Sequence, residues 1–210
     1  MSKKITELTS LTSADGTDVL PIVDISANTT KKVTVAGVAA AVATALPASS
    51  VGPTALTLGV SVQTVATPYS ASATGTTVIP QDDTVPQNTE GTEFMTQAIT
   101  PKSATNMLVI DTLALVGCDT AGRNIIGAIF QDSTANALAA NAEYNDNASG
   151  VIPTIVHVRH IMVAGTTSAT TFKFRAGPQA AATVTFNGNN SIRLFGATVK
   201  SSIVITEYKA

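Results

Sequence analysis

With 210 residues the chain is long enough for one β-sandwich and a smaller appendage, and too short for two large domains. A net charge of −2 with both signs scattered argues against a basic nucleic-acid face and a polybasic membrane patch. Charged residues are 12% and aromatics 4%, with no Trp; Thr, Ser, Ala, Val and Asn stand in their place, a strand-favouring composition typical of virion shells, fibres and secreted β-proteins rather than of cellular enzymes.

Residues 1–46 form a first part. Ile5, Leu8 and Leu11 are apolar points in a Thr-rich lead, and Asp15-Gly16 is a tight-turn signal. A strand is predicted over Val19–Ile25, interrupted by Pro21, which suits an edge. Asn28-Thr29-Thr30 turns the chain into a second strand over Lys31–Val35. The Ala-rich run Ala36–Leu46 follows, and Val35, Val38, Val42 and Ala45 recur at 3-4-3 spacing. That spacing fits a short coiled-coil seam between copies, and equally a single helix packed on its own hairpin. A helix of this length is marginal in water without such a partner.

Residues 47–75 carry no charge and are rich in Pro, Ser, Ala, Thr and Gly, so an extended linker arm is predicted, with Leu56, Leu58, Val60, Val62 and Val65 available for contacts. Residues 76–210 read as a run of strands: Thr76–Pro80, Phe94–Thr100, Met107–Val116, Ile125–Gln131, Thr154–Ala164, Thr170–Arg175, Ala182–Phe186, Ser191–Val199 and Ser202–Tyr208. Turn residues separate them, Asn187-Gly188 being the strongest hairpin signal. The expected fold is mainly β: a C-terminal sandwich of jelly-roll type, a small N-terminal hairpin with a short helix, and the arm between them.

Chemistry-bearing residues are few. The two histidines, His157 and His160, lie three apart on a predicted strand and so point to opposite faces, which denies them a shared metal or substrate. Apolar residues stand on both sides of that strand, Val156, Val158 and Met162 against Ile155 and Ile161, which suits sheet or subunit contacts. Asp82, Asp83, Glu90 and Glu93 form the densest acidic group, read as a solvated loop rather than a calcium cage. Cys118, alone, excludes an intrachain disulfide and reads as a buried thiol. Lys31-Lys32 is a two-residue charge pair. There is no Gly-x-Ser-x-Gly elbow, phosphate loop or zinc spacing. The expectation is a protein that is not an enzyme and uses no cofactor and no metal. The start lacks an apolar core of signal-peptide length and there is no run of about 18 apolar residues, so synthesis in a bacterial cytoplasm is expected.

Two stretches carry a resemblance. Lys4–Thr9, Asp18–Ile25 and Thr30–Val35 resemble the N-terminal segment of many tailed-bacteriophage virion proteins, at the start of tail fibres, tailspikes and head-associated fibres. The resemblance implies a particle-attachment or trimer-forming module, with Leu20, Ile22, Val23, Ile25, Lys31, Lys32, Val33, Val35, Val38 and Val42 as its contact residues. Ile79–Gly91, Phe94-Met95 and Phe130–Ser133 resemble the C-terminal domains of phage structural proteins, similar to trimeric heads of the tumour-necrosis-factor-like type. Together these imply a homotrimer on the virion surface. Its role would be capsid decoration, as a cement protein or head fibre held by the major capsid protein or another virion protein. A short trimeric tail fibre contacting host surface glycans is the alternative. Neither nucleic acid nor membrane is an expected partner.

Overall fold

The computed structural model describes residues 19–24, 29–34, 36, 59–145 and 152–210, and the chain divides into two compact units, Met1–Ala55 and Leu56–Ala210. In the first unit, β1 (Val19–Asp24) and β2 (Thr29–Thr34) make an antiparallel pair, with Val19 opposite Thr34 and Asp24 opposite Thr29. Each strand of a two-stranded sheet is an edge, the setting in which Pro21 is tolerated. The predicted helix over 36–46 lies outside the described residues apart from Ala36.

The second unit contains β3 (Ser61–Tyr69), β4 (Ala73–Gly75), β5 (Thr92–Ile99), β6 (Met107–Cys118), β7 (Arg123–Gln131), β8 (Ala139–Asn145) and β9 (Thr154–Val163). These are followed by β10 (Thr170–Pro178), β11 (Val184–Phe186), β12 (Gly188–Asn189), β13 (Ile192–Arg193) and β14 (Ser201–Tyr208). One sheet has the order β5-β10-β7-β8; the other runs β3-β14-β6, with β9 on the far side of β6 and the short β11 and β4 prolonging β14 and β3. Taking the eight long strands in chain order, the second sheet holds the first, eighth, third and sixth, and the other holds the second, seventh, fourth and fifth. The chain therefore crosses between sheets at nearly every connection, which is the jelly-roll topology. All these pairings are antiparallel.

Period-two patterning builds the core between the sheets. Phe172 and Phe174 on β10, Ile203 and Ile205 on β14, Leu108 and Ile110 on β6 and Ile125 and Ile129 on β7 are fully enclosed. Each such side chain contributes about 1.5–3 kcal/mol of burial. Gly127 makes room at the centre: a Cβ there would lie 2.6 Å from Val156 Cγ1 and 2.8 Å from the Phe174 ring.

Several sequence expectations change. Residues 61–75, read as part of a linker arm, are β3 and β4; β3 pairs along β14 from Tyr69–Ser201 to Ser61–Tyr208. The arm composition is that of an edge strand, half exposed and tolerant of Pro68. β8 was not foreseen because its sequence, Ala-Ala-Asn-Ala-Glu-Tyr-Asn, lacks β-branched residues. The strand predicted over Ser191–Val199 is instead the two-residue β13 followed by a 3-10 turn at Phe195–Ala197. The hairpin turn falls at Asn190-Ser191, where both φ angles are positive (49° and 61°), rather than at Asn187-Gly188.

The strand predicted over Thr76–Pro80 is a covering loop. Ile79 is fully buried, its N–H donates to the Pro178 carbonyl (3.1 Å), and Arg175 donates to the carbonyls of Glu90 (2.8 Å) and Gly91 (2.7 Å). This loop lies on the outside of β10 and β7, so β7 is buried on both faces. Strand β9, in the opposite sheet, alternates between buried and exposed along most of its length.

Candidate functional site

That asymmetry defines the site. The outer face of β3-β14-β6-β9 carries the outward half of each alternating strand. From β6 these are Met107, Val109, Asp111, Leu113 and Leu115, and from β9 their partners Val163, Ile161, Arg159, His157 and Ile155. Leu113, Ile155, Ile161 and Val163 are between 41% and 53% exposed, unusual for large aliphatic side chains gathered on one sheet. Val204 on β14 stands opposite Asp111 and extends the face.

A polar belt crosses the middle of this face. His157 Nε2 sits 3.0 Å from Asp111 Oδ1, and Arg159 Nε lies 3.9 Å from Asp111 Oδ2. One carboxylate thus answers two basic side chains, with apolar pairs on either side: Met107–Val163 and Val109–Ile161 toward one end, Leu115–Ile155 toward the other. An apolar surface with one oriented charge cluster excludes water over most of its area and fixes the register of whatever covers it.

The other chemistry-bearing residues are dispersed into structural duties. His160 stands opposite Ile110, on the inward side of β9 and away from His157, and burial lowers its pKa. Asp82 accepts from the Thr84 N–H and hydroxyl, Glu90 accepts from the Gln87 N–H, and Glu93 lies 3.6 Å from both Lys173 and Arg175. Burial pushes the Cys118 thiol up, away from an activated thiolate. Among the described residues no three His, Cys, Asp or Glu side chains are grouped to hold a metal ion. An open cleft of about 330 Å³ lies between the loop at Pro80–Pro86 and β8, floored by Ile126, Ala140 and Ala142; its one carboxylate, Asp82, is the one already bound to Thr84.

Of the contact residues predicted in the first unit, Leu20, Ile22 and Val23 lie on β1 and Lys31, Lys32 and Val33 on β2, where Ile22 pairs with Lys31 and Leu20 with Val33. Ile25, Val35, Val38 and Val42 lie outside the described residues. The face on β6 and β9 was not singled out as a site, although a signal was present: β9 carries apolar residues on both sides.

A protein-family model described as the Pgp3 C-terminal domain, a domain of a chlamydial virulence protein, matches residues 77–210, more than half of the chain. No individual curated protein matches the sequence. Among solved structures, the infectious bursal disease virus VP2 subviral particle is similar at 9% identity and a TM-score of 0.32, and the Gt strain of the same virus at 10% and 0.31. Each comparison covers 70% of this chain and 38% of the viral one, so the match spans well under half the length of those proteins. The family match corrects the reading of the chain as a tailed-phage virion surface protein, whether capsid decoration or tail fibre, and with it the virion location. A neutral, hydroxyl-rich composition reports a self-packing β-protein; it does not report which particle or cell the protein serves.

Proposed function

Since the chain belongs to the Pgp3 C-terminal domain family, we propose that it is a non-enzymatic, virulence-associated binding protein that works as a homotrimer, its subunits meeting through the outer face of β3-β14-β6-β9. The observation that carries this reading is the bare apolar face itself. Four large aliphatic side chains stand exposed around the Asp111–His157–Arg159 belt, while the opposite sheet is covered by its own loop. Covering such a face with a second copy removes apolar area from water without any new element. Threefold rather than twofold assembly is part of the proposal, and the assembled mass decides it. The non-enzymatic part rests on how the reactive groups are spent: the thiol is buried, Asp82 and Glu90 accept from turn N–H groups, Glu93 is paired with Lys173 and Arg175, and the histidines face apart.

The test is a double substitution, Leu113→Asp with Ile161→Asp. Both side chains are exposed in the single subunit, so the fold should persist by far-UV circular dichroism while the assembled mass falls to that of one chain. An unchanged mass would show that the subunits meet elsewhere.

A further inference from the structure

Apart from Val85 in the loop before β5, the large exposed apolar side chains among the described residues fall into two groups. One is the sheet face described above. The other lies at the Cys118 end of β6. There Gly188 of β12 is packed against Gly117, Asn145 donates to the Cys118 carbonyl (3.4 Å), and Thr154 opens β9 opposite Val116. Beside these anchors stand Tyr144 (60% exposed) and Ile152 (66%), and on the β12–β13 hairpin and the turn after it Ile192 (66%) and Phe195 (72%). The chain enters the jelly roll at the other end, where the Gly59 N–H donates to the Lys209 carbonyl (2.8 Å).

The hairpin is held firmly at its base, and exposed side chains stand on its returning strand and on the turn after it. Asn187, buried, donates to the carbonyls of Tyr69 (2.8 Å) and Ala71 (3.0 Å) and accepts from the Ser201 hydroxyl (2.7 Å). Beyond it Asn190, Ser191, Phe195 and Ala197 all have φ between 47° and 73°, a conformation that asparagine tolerates but that is unfavourable for Ser191, Phe195 and Ala197. The fold sustains that strain while leaving an isoleucine and a phenylalanine in water.

The charge around these side chains says what should cover them. Arg193 and Lys200 are exposed, and no Asp or Glu occurs between Arg175 and Glu207. The acidic group near the hairpin base, Asp119, is engaged by the Thr183 N–H (2.9 Å) and the Thr120 hydroxyl (2.9 Å). Scattered charge along the sequence argues against a membrane partner; the segment 192–200 nevertheless carries two exposed cations and two large exposed apolar side chains within nine residues. Cations meeting lipid phosphates while apolar side chains enter the headgroup boundary is how a peripheral protein engages an anionic bilayer. We infer that the exposed Ile192–Lys200 segment is a docking surface for an anionic lipid bilayer. This does not depend on the self-association surface, which lies on the sheet face.

The experiment is co-sedimentation of the full chain with vesicles of phosphatidylcholine containing about one third phosphatidylserine, against phosphatidylcholine alone. The protein should pellet with the anionic vesicles and be released by salt. Ile192→Ser with Phe195→Ser should weaken binding by about tenfold or more without changing the circular dichroism or the solution mass. Arg193→Gln with Lys200→Gln, which leaves the apolar residues in place, should weaken it and flatten the salt dependence. Failure of the wild-type protein to bind, or equal binding by the Ser variant, would overturn the proposal. So would a fall in solution mass of that variant, which would make the segment a contact between copies instead.

Discussion

Glu207 is a residue on which separate segments converge. It takes an inward position on β14, otherwise filled by Ser201, Ile203 and Ile205, and is fully buried. Burial alone would raise its pKa. The Asn106 amide (2.6 Å), the Gln63 amide and the N–H groups of Lys102 (2.8 Å) and Ser103 (3.2 Å) outweigh that and hold the carboxyl below its usual value of 4.5. A depressed folded-state pKa contributes stability that is fully present above 4.5 and is lost as the pH falls through the lower folded value. Thermal melts taken from pH 7 downward should therefore decline steeply only in the acid range. Glu207→Gln should lose about 1.5–3 kcal/mol near neutrality, the worth of hydrogen bonds to a charged group, and show a shallower acid decline. Gly127 makes a second prediction at this scale. Gly127→Ala pushes a methyl against Val156 and the Phe174 ring, and should lower stability by about 1–3 kcal/mol in urea unfolding.

At the scale of elements, β3 decides where the folded unit begins. Its Tyr69 hydroxyl accepts from the Thr96 N–H (2.9 Å), and its Tyr69 carbonyl accepts from Asn187, so one edge strand ties both sheets and the 187–200 hairpin region together. A chain starting at Leu56 should unfold in a single cooperative transition, whereas one starting at Thr76 should lose that cooperativity or aggregate through the uncovered edge of β14. Cooperative folding of the shorter chain would mean β3 is dispensable. The strands legible in the sequence were the long runs rich in aliphatic, aromatic and β-branched residues: β5, β6, β7, β9, β10 and β14 fall within a few residues of their predicted bounds. What stayed hidden had a physical reason. β3 and β8 are edge strands of small and polar residues, and edges are not required to be apolar. The 76–80 segment looks like a strand because Val78 and Ile79 are β-branched, yet they serve to cap the outer face of a sheet. The candidate site was half legible, as a strand apolar on both faces; strand order, which puts β9 beside β6 and leaves their outer face bare, cannot be read from one sequence.

At the scale of the whole molecule, the composition and the fold state the same fact in different terms. A chain with 12% charged residues has little polar surface with which to keep a broad sheet face solvated. The family match names the domain without naming the partner surface, and the proposal assigns that role to the outer face of β3-β14-β6-β9. Asp111 tests whether that face is buried in the assembly. In an exposed setting its pairs with His157 and Arg159 are worth about 0.2–1 kcal/mol, and Asp111→Asn would barely alter association. Inside an interface the same change strands two basic groups away from water, and the assembly should weaken by about 2–5 kcal/mol. Dilution series of the two proteins, followed by sedimentation, separate these outcomes.

The most direct measurement is the mass of the full chain in solution, by multi-angle light scattering at micromolar concentration and again in high salt. Assembly through a mainly apolar face predicts three times the 21.3 kDa of one chain, and nearly the same value in both salts. A mass of 21.3 kDa at that concentration would contradict the account, because the bare face of β6 and β9 would then be stable in water on its own.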